Sequence, residues 1–343
     1  MAQRGKPGRG RWSHTFGALD LGTNNCRLLV ARPSGGGFRV IDAFSRIVRL
    51  GEGLAGARCL SEAAIERTLA ALGVCAGKLR RSRASRVRAV ATEACRQANN
   101  SEQFFHRVKA ETGIELETID PAAEAHLALA GCASMFKADG ADGRALMFDI
   151  GGGSTQISWL RPSRDGNGAA APEILGSVSL PCGVVTLSER FGGHEVSDAC
   201  IAAMQAHVSD LLAPFEAAHG IAARIGDGAV QMVGTSGTVT TLAAVLLDLP
   251  RYDRAQIEGL DVTFADMARA TARLKAMDYS QRAAHPCVGP DRADLVIAGC
   301  AILDAIHRRW PVGRLRVADR GLRDGILLGL MAEADREAVG AGT

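Results

Sequence analysis

Apolar residues fall along this chain in short strand-like runs broken by glycine, alternating with longer stripes at helical spacing. Two stretches share one plan. In the first, Gly17, Ala18 and Leu19 lead into Asp20, the chain turns through Gly22, Thr23 and Asn24, and Cys26, Leu28, Leu29 and Val30 carry it away. In the second, Leu146, Met147 and Phe148 lead into Asp149, three glycines turn at 151–153, and Ile157 and Trp159 follow. Each predicts a strand, a tight turn and a second strand. The first hairpin continues over 38–50, where Arg46 and Arg49 read as outward positions in an apolar, β-branched stretch. Ser61 predicts the N-cap of a helix whose apolar face is Ile65, Leu69, Leu72 and Leu79. A buried strand at 87–91, a helix capped by Ser101 and running through Val108, a strand at 114–119 and an alanine-rich helix at 122–135 complete the first half.

After the second hairpin, a polar, glycine-rich turn at 161–171 precedes a strand at 174–180, and long helical patterns follow at 197–218, 264–277 and 293–310. Between them a third glycine turn, 234–238, is entered from a strand and left on a helix at 239–247. A strand at 315–317 and a helix from Leu322 close the chain. Asp149 comes 129 positions after Asp20 (149 − 20), room for a domain between the hairpins, so the chain reads as a duplication. The expected division is a basic, disordered leader at 1–15, a first domain at 16–130, a second at 131–335 and a tail at 336–343.

Composition sets the context. With 47% hydrophobic and 22% charged residues, 343 residues can build real cores. No apolar run approaches the roughly 18 residues needed to span a bilayer, and the N-terminus lacks the apolar stretch of a secretory signal. Nine cysteines, scattered singly, fit reduced thiols in a cytoplasmic protein better than a disulfide framework or a zinc site. The net charge is only +3, but bases gather at Arg4, Lys6, Arg9 and Arg11 and again at Lys78, Arg80, Arg81, Arg83, Arg86 and Arg88. Both could attract polyanions, but a disordered leader and a solvated helix end account for them more simply. Aromatic residues, 4% of the chain, do not interleave with them, so a stacking platform for nucleic acid is not indicated.

The repeated turns carry the chemistry. Glycine lets backbone N–H groups crowd around an anion, hydroxyl and amide side chains add donors, and a strand-end Asp can hold a hydrated cation. The third turn opens a helix, whose N-terminus is an anion site in principle. A dinucleotide fingerprint or a P-loop is excluded by context, because Asp149 to Thr155 offers no lysine and leads into an extended run rather than a helix. Two such loops predict a phosphate gripped from both sides.

These motifs resemble, in order, those of the exopolyphosphatase/guanosine pentaphosphatase (Ppx/GppA) phosphatase family. Residues 20–27 resemble its first phosphate loop, DxGSNSxR; residues 91–99, reading ATEACRQAN, resemble its T(S/E)AxRxAxN segment; Glu124 and Ala125 sit at its Glu-Ala motif; residues 149–155 match DIGGGST; residues 234–238 resemble its GTxGT turn; and residues 322–325 its LR(D/E)G. The resemblance spans 16–330. It implies an α/β fold of two duplicated actin/Hsp70/sugar-kinase-like (ribonuclease H-like) domains with an active-site cleft between them. It also implies hydrolysis of the terminal phosphate of linear polyphosphate or of guanosine pentaphosphate, with Glu124 aligning and deprotonating the attacking water.

By the same resemblance, Gly22, Thr23, Asn24, Arg27, Arg96, Gly151, Gly152, Gly153, Ser154, Thr155, Gln156, Gly234, Ser236 and Gly237 bind phosphate, and Asp20 and Asp149 hold Mg²⁺. The family's usual glutamate after DIGGGST is Gln156 here, Thr23 and Asn25 replace two serines, and Ala123 replaces an acid common before Glu124. An amide can bond a phosphate oxygen but carries no charge and is no base. The chain also stops where longer relatives continue into an HD-type domain, so a long polymer would need dimerisation or the basic run at 78–88 to extend its track. A catalytically weak sensor of the same anions and an ATP-dependent kinase of the same superfamily are the alternative readings. No membrane or specific nucleic-acid partner is expected.

Overall fold

The computed structural model describes residues 10–137, 143–166, 168–226 and 230–340. Strands β1 (Phe16–Leu21), β2 (Asn25–Ser34), β3 (Gly37–Ile47), β4 (Arg86–Ala91) and β5 (Leu116–Thr118) form one sheet in the order β3-β2-β1-β4-β5. Strands β6 (Arg144–Ile150), β7 (Thr155–Arg161), β8 (Glu173–Leu180), β9 (Val230–Thr235), β10 (Asp261–Thr263) and β11 (Arg314–Ala318) form the other, in the order β10-β11-β9-β6-β7-β8. Each sheet begins as an antiparallel three-strand meander and continues with strands parallel to its first, the edge strand β10 alone running antiparallel to its neighbour β11. Apart from the extra edge strand β10, the second sheet repeats the first, which is the duplicated actin-like arrangement. Strands β1 and β6 lie inside their sheets and, apart from Asp20, Asp149 and the first residue of β6, Arg144, are buried on both faces, which explains their apolar runs.

Local signals carry through. Ser61 caps the helix Glu62–Arg81, its hydroxyl accepting from Ala64 N, and Ile65, Leu69, Leu72 and Leu79 are buried. The helix expected to be capped by Ser101 includes that residue instead. Asn100 stands at its N-cap, but the Asn100 amide is spent on Leu60, accepting from its N–H at 2.8 Å and donating to its carbonyl at 3.0 Å.

The terminal helices of the two halves exchange partners. In the helix Pro121–Cys132, Ala128, Leu129 and Cys132 pack with Met147, Leu160, Val233 and Ala318 of the second sheet. In the helix Leu322–Gly340, Leu322, Ile326, Leu327, Leu330 and Met331 pack with Phe16, Ala18, Leu29 and Val90 of the first. These helices cross at glycine: a Cβ on Gly131 would lie 2.0 Å from the Gly321 carbonyl oxygen, and one on Gly325 1.9 Å from that of Leu127. The division at 131–335 grouped the last helix with the second domain, but its apolar stripe is covered by the first sheet.

Two further expectations change. Residues 1–9 of the expected leader lie outside the described residues, but Arg11 is held by Asp335, its backbone N–H donating to the carboxylate at 2.8 Å, and Thr15 is buried. Residues 336–340 of the expected tail are helical. The basic run at 78–88 lies at the end of the first sheet where β4 begins, whereas Asp20 and Thr92 lie at the opposite end. Lys78 pairs with Asp42 at 2.6 Å, Arg86 with Glu337, and Arg88 with Glu117 at 2.6 Å, so half of the run is neutralised locally and none of these pairs extends the cleft. Among the described residues, no helix is long and apolar enough to cross a membrane.

Candidate active site

The two hairpin turns are built alike. Gly22 N donates to Asn25 O at 2.9 Å, and Gly151 N donates to Ser154 O at 2.9 Å. Register continues the equivalence: Asp20 stands opposite Arg27, and Asp149 opposite Gln156. Gln156 is therefore the second-loop counterpart of Arg27. The turns touch, and glycine makes that possible. A Cβ on Gly153 would lie 2.6 Å from Thr23 Oγ1, and one on Gly152 3.0 Å from the Asn24 backbone nitrogen. The second turn is pinned from behind, Val184 N donating to Gly151 O at 3.0 Å and Val185 N to Gly152 O at 2.8 Å.

The third turn completes the ring. Ser236, which opens the helix Ser236–Leu246, adopts φ of 80°, a left-handed conformation uncommon outside glycine. Its hydroxyl donates to Ile150 O, tying this turn to the end of β6 beside the Asp149 carboxyl. That orientation turns the helix N-terminus, at Gly237 and Thr238, toward the gap between the hairpins.

A cavity of about 130 Å³ occupies the gap. Of the residues singled out in the sequence, Asp20, Gly22, Thr23, Asn24, Arg27, Glu124, Asp149, Gly151, Gly152, Gly153, Ser154, Gln156, Ser236 and Gly237 line it. Three do not. Thr155 is buried with its hydroxyl donating to Cys182 O at 2.6 Å; Gly234 lies against Phe148, whose ring would be 2.6 Å from an added Cβ; and Arg96 stands behind Glu124. Thr155 alternates away from the turn, and Gly234 is glycine because an aromatic ring crosses it.

A second chamber of about 580 Å³ adjoins the first across Asp20, Arg27 and Asp149. Its walls carry five arginines, Arg27, Arg254, Arg292, Arg320 and Arg323, against three carboxylates, Asp20, Asp149 and Asp319. Arg320 is engaged by Glu258, and Arg254 is 3.5 Å from both Asp319 and Asp324. Arg27 and Arg323 form no hydrogen bond or ion pair with a described residue, and Arg292 makes one weak bond, 3.4 Å to Thr241 Oγ1. Burial and the neighbouring Arg27 push the Arg323 guanidinium down to about 10 and also lower that of Arg292. An unpaired, mutually repelling cation cluster is a demand for an anion.

Sequence reading missed Arg292, Arg323 and Glu93, all of which line one of the chambers. Arg323 lies in the motif at 322–325 and Glu93 in that at 91–99, so their motifs were a signal. Arg292 sits in an irregular segment before the helix Val296–Arg309, where periodicity says nothing.

The carboxylates show the complementary stress. Burial raises Asp20, against the pull of Arg27 and Arg323. Burial also raises Asp149 to about 6, Arg27 lowering it and Asp20 raising it further. Glu124 is raised to about 7 by burial, its contact with Arg96 opposing and Asp149 and Asp20 adding to the rise. The Pro121–Cys132 helix, capped by the Asp120 carboxylate accepting from Ala123 N, delivers Glu124 from its first turn. Its Oε2 accepts from Arg96 Nη1 at 2.8 Å.

Comparison with known proteins agrees with this geometry. The sequence model of the Ppx/GppA phosphatase family matches residues 29–334. The chain is 33% identical over 332 residues to exopolyphosphatase 2 of Mycobacterium tuberculosis, covering 91% of this chain and 97% of that one. It is similar to the Aquifex aeolicus Ppx/GppA family member, with a TM-score of 0.72 and 27% identity over 94% of this chain and 98% of that one. The exopolyphosphatase of Cytophaga hutchinsonii shares the fold, with a TM-score of 0.82 and 24% identity over 93% and 98%. Matched by the family model over most of its length, and by a relative at 33% identity across nine-tenths of it, the chain belongs to the Ppx/GppA phosphatase family.

Proposed function

We propose that this protein is an exopolyphosphatase, hydrolysing the terminal phosphoanhydride of linear polyphosphate in the cleft between its two sheets. The observation that carries the reading is the convergence of both glycine turns, Glu124 and the unpaired Arg27 on one small cavity. Its relatives named exopolyphosphatase support the substrate class. The terminal phosphate fits among the N–H groups of 23–24, 152–153 and 236–238, and the rest of the chain runs over Arg27, Arg292 and Arg323 in the larger chamber. Glu124 accepts a proton from water as the water oxygen bonds phosphorus and the bond to the bridging oxygen breaks. The arginines neutralise charge that builds on the departing chain.

The residues also fit a divalent cation. Asp20 and Asp149 are mutually repelling carboxylates at adjacent strand ends, and the side-chain oxygens Oδ1 of Asn24 and Asn25 are buried without a partner among the described residues. Hard oxygen donors suit Mg²⁺. No group of three His, Cys, Asp or Glu among the described residues could chelate it alone, which suits an ion that keeps water and takes substrate oxygens. Asp20 and Asp149 would hold it, and it would supply charge neutralisation on the phosphate oxygens. A raised carboxyl in the cavity wall favours turnover over a sensor role. Nine unpaired cysteines agree with a cytoplasmic, reducing setting.

The test is phosphate release with Mg²⁺ from long-chain polyphosphate and, in parallel, from guanosine pentaphosphate, which presents the same terminal anhydride. Glu124→Gln is expected to lower release by about 10²–10⁴-fold, the usual contribution of a general base. Native-like release by the variant would sink the reading, and the ratio of native rates assigns the preferred substrate.

A further inference from the structure

Arg96 is a heavily committed cation. Its Nε and Nη2 donate to Glu93 Oε2 at 3.1 and 2.6 Å, and its Nη1 donates to Glu124 Oε2 and to the Ile119 carbonyl, both at 2.8 Å. Four bonds thus occupy most of its five N–H groups, which leaves little for a phosphate. The side chains are enclosed alike, Arg96 being 14% exposed, Glu93 15% and Glu124 16%. One guanidinium serves two carboxylates. Glu93 and Arg96 are three residues apart on the short helix Glu93–Gln97, so their pairing is local, while Glu124 arrives from a different helix. Glu93 is wedged in place: its Cγ lies 3.1 Å from where a Cβ on Gly153 would be, and Gln97 Nε2 donates to its other oxygen.

We propose that Glu93 is a positioning residue for proton transfer: by taking one side of the Arg96 guanidinium it weakens that cation's hold on Glu124, leaving the Glu124 carboxyl free to exchange a proton with water in the cleft. The inference rests on Glu124 being the base. Paired with Glu124 alone, Arg96 would hold it as a tightly bonded carboxylate, a poor proton acceptor near neutral pH. Divided between two partners, it orients Glu124 through one oxygen, Oε2, without suppressing its basicity, and burial raises the carboxyl to about 7 against the arginine's pull. The other charges facing Glu124 are Asp20 on β1 and Asp149 on β6, both of which push it upward. The Leu322–Gly340 helix, packed along the helix that carries Glu124, adds Arg323, which acts on Asp20, and Asp324. Glu93 differs from all of these in working through Arg96, and so it can be changed while the Asp20–Asp149 pair stays intact.

The experiment is the pH profile of kcat/KM for polyphosphate hydrolysis at saturating Mg²⁺, comparing the native protein with Glu93→Gln, Glu93→Asp and Glu124→Gln. Glu93→Gln removes a negative charge and frees Arg96, and both changes lower Glu124. Its acid limb is therefore expected at lower pH by about half a unit or more, with a lower plateau from the weaker base. Glu93→Asp keeps the charge, and its limb is expected at the native position even if its rate falls. A Glu93→Gln limb at the native pH, whether or not the plateau drops, would overturn the proposal, since a structural or substrate contact scales the rate without moving the limb. The same holds if Glu93→Asp shifts the limb as far as Glu93→Gln. Retained activity in Glu124→Gln removes the base reading itself, and this inference with it.

Discussion

At Glu124, the proposed base, burial raises the carboxyl and costs stability. A carboxyl raised from 4.5 to about 7 accepts a proton readily at neutral pH, so native kcat/KM should climb with pH through about 7 as Glu124 deprotonates. The folded value lies above the unfolded one, so the group's contribution to stability is fully present below about 4.5 and is lost as pH rises through about 7. Thermal melts in metal-free buffer should therefore show Glu124→Gln more stable than the native protein at pH 8, by up to about 3 kcal/mol, and nearly equal at pH 4. A variant less stable at pH 8 would contradict this account of the buried carboxyl. Gln156 is the other decisive residue. It lines the small cavity opposite Asp149, its Nε2 donating to Ser179 Oγ at 2.9 Å, a partner that can equally donate to a carboxylate. Gln156→Glu adds a third carboxylate beside the proposed cation site. The Mg²⁺ concentration for half-maximal rate should fall several-fold, read from activity titrated with Mg²⁺.

Between elements, close approach depends on glycine where two backbones meet. The crossing of the Pro121–Cys132 and Leu322–Gly340 helices leaves a Cβ 2.0 Å from backbone at Gly131 and 1.9 Å at Gly325. No rotamer change relieves a clash with a carbonyl. Gly131→Ala and Gly325→Ala should each destabilise by about 2 kcal/mol or more, measured by thermal or denaturant unfolding. Because this crossing also delivers Glu124 to the cleft, partly folded variants should lose activity in step with stability. Gly35 and Gly36, at the β2–β3 turn, have open space around an added Cβ. Gly36→Ala, with an ordinary φ, serves as the control. Which glycines matter is thus a question of packing, even though all look alike in the chain.

At the scale of the whole molecule, contacts across the mouth of the cleft hold the halves together. Arg49, just after β3, grips the Asp294 carboxylate through Nη1 and Nη2 at 2.8 and 2.9 Å and also bonds the Asp291 carbonyl at 3.2 Å. Gly53 N donates to Glu189 Oε1 at 2.9 Å nearby. Asp291 and Asp294 flank Arg292, so the grip of Arg49 also steadies the segment that presents Arg292 to the larger chamber. Arg49→Ala should leave the fold intact, raise KM for polyphosphate more than it lowers kcat, and increase the radius of gyration in small-angle scattering. Unchanged KM and scattering would mean that other contacts hold the cleft closed.

Most of the fold was legible in the chain because its signals are local. Strand-end aspartates, glycine turns and the stripe after Ser61 each act over a few residues, and motif order was enough to predict duplicated actin-like domains and to bring Asp20, Asp149, Glu124 and the glycine turns to one cleft. What stayed illegible depends on groups far apart in sequence. The sequence marks a helix from Leu322, but only packing decides that the first sheet covers its apolar residues. Arg96, read from its motif as a phosphate ligand, turns from the cavity because Glu93 and Glu124 satisfy it first. Arg292 and Arg323 become candidates to hold an anion only because the fold buries them beside Arg27. The sequence by itself determined the elements and the residue types at the site, since backbone turns and apolar periodicity need no distant partner. Only the tertiary structure decided the charge state and division of labour among those residues, since burial and shared partners set both.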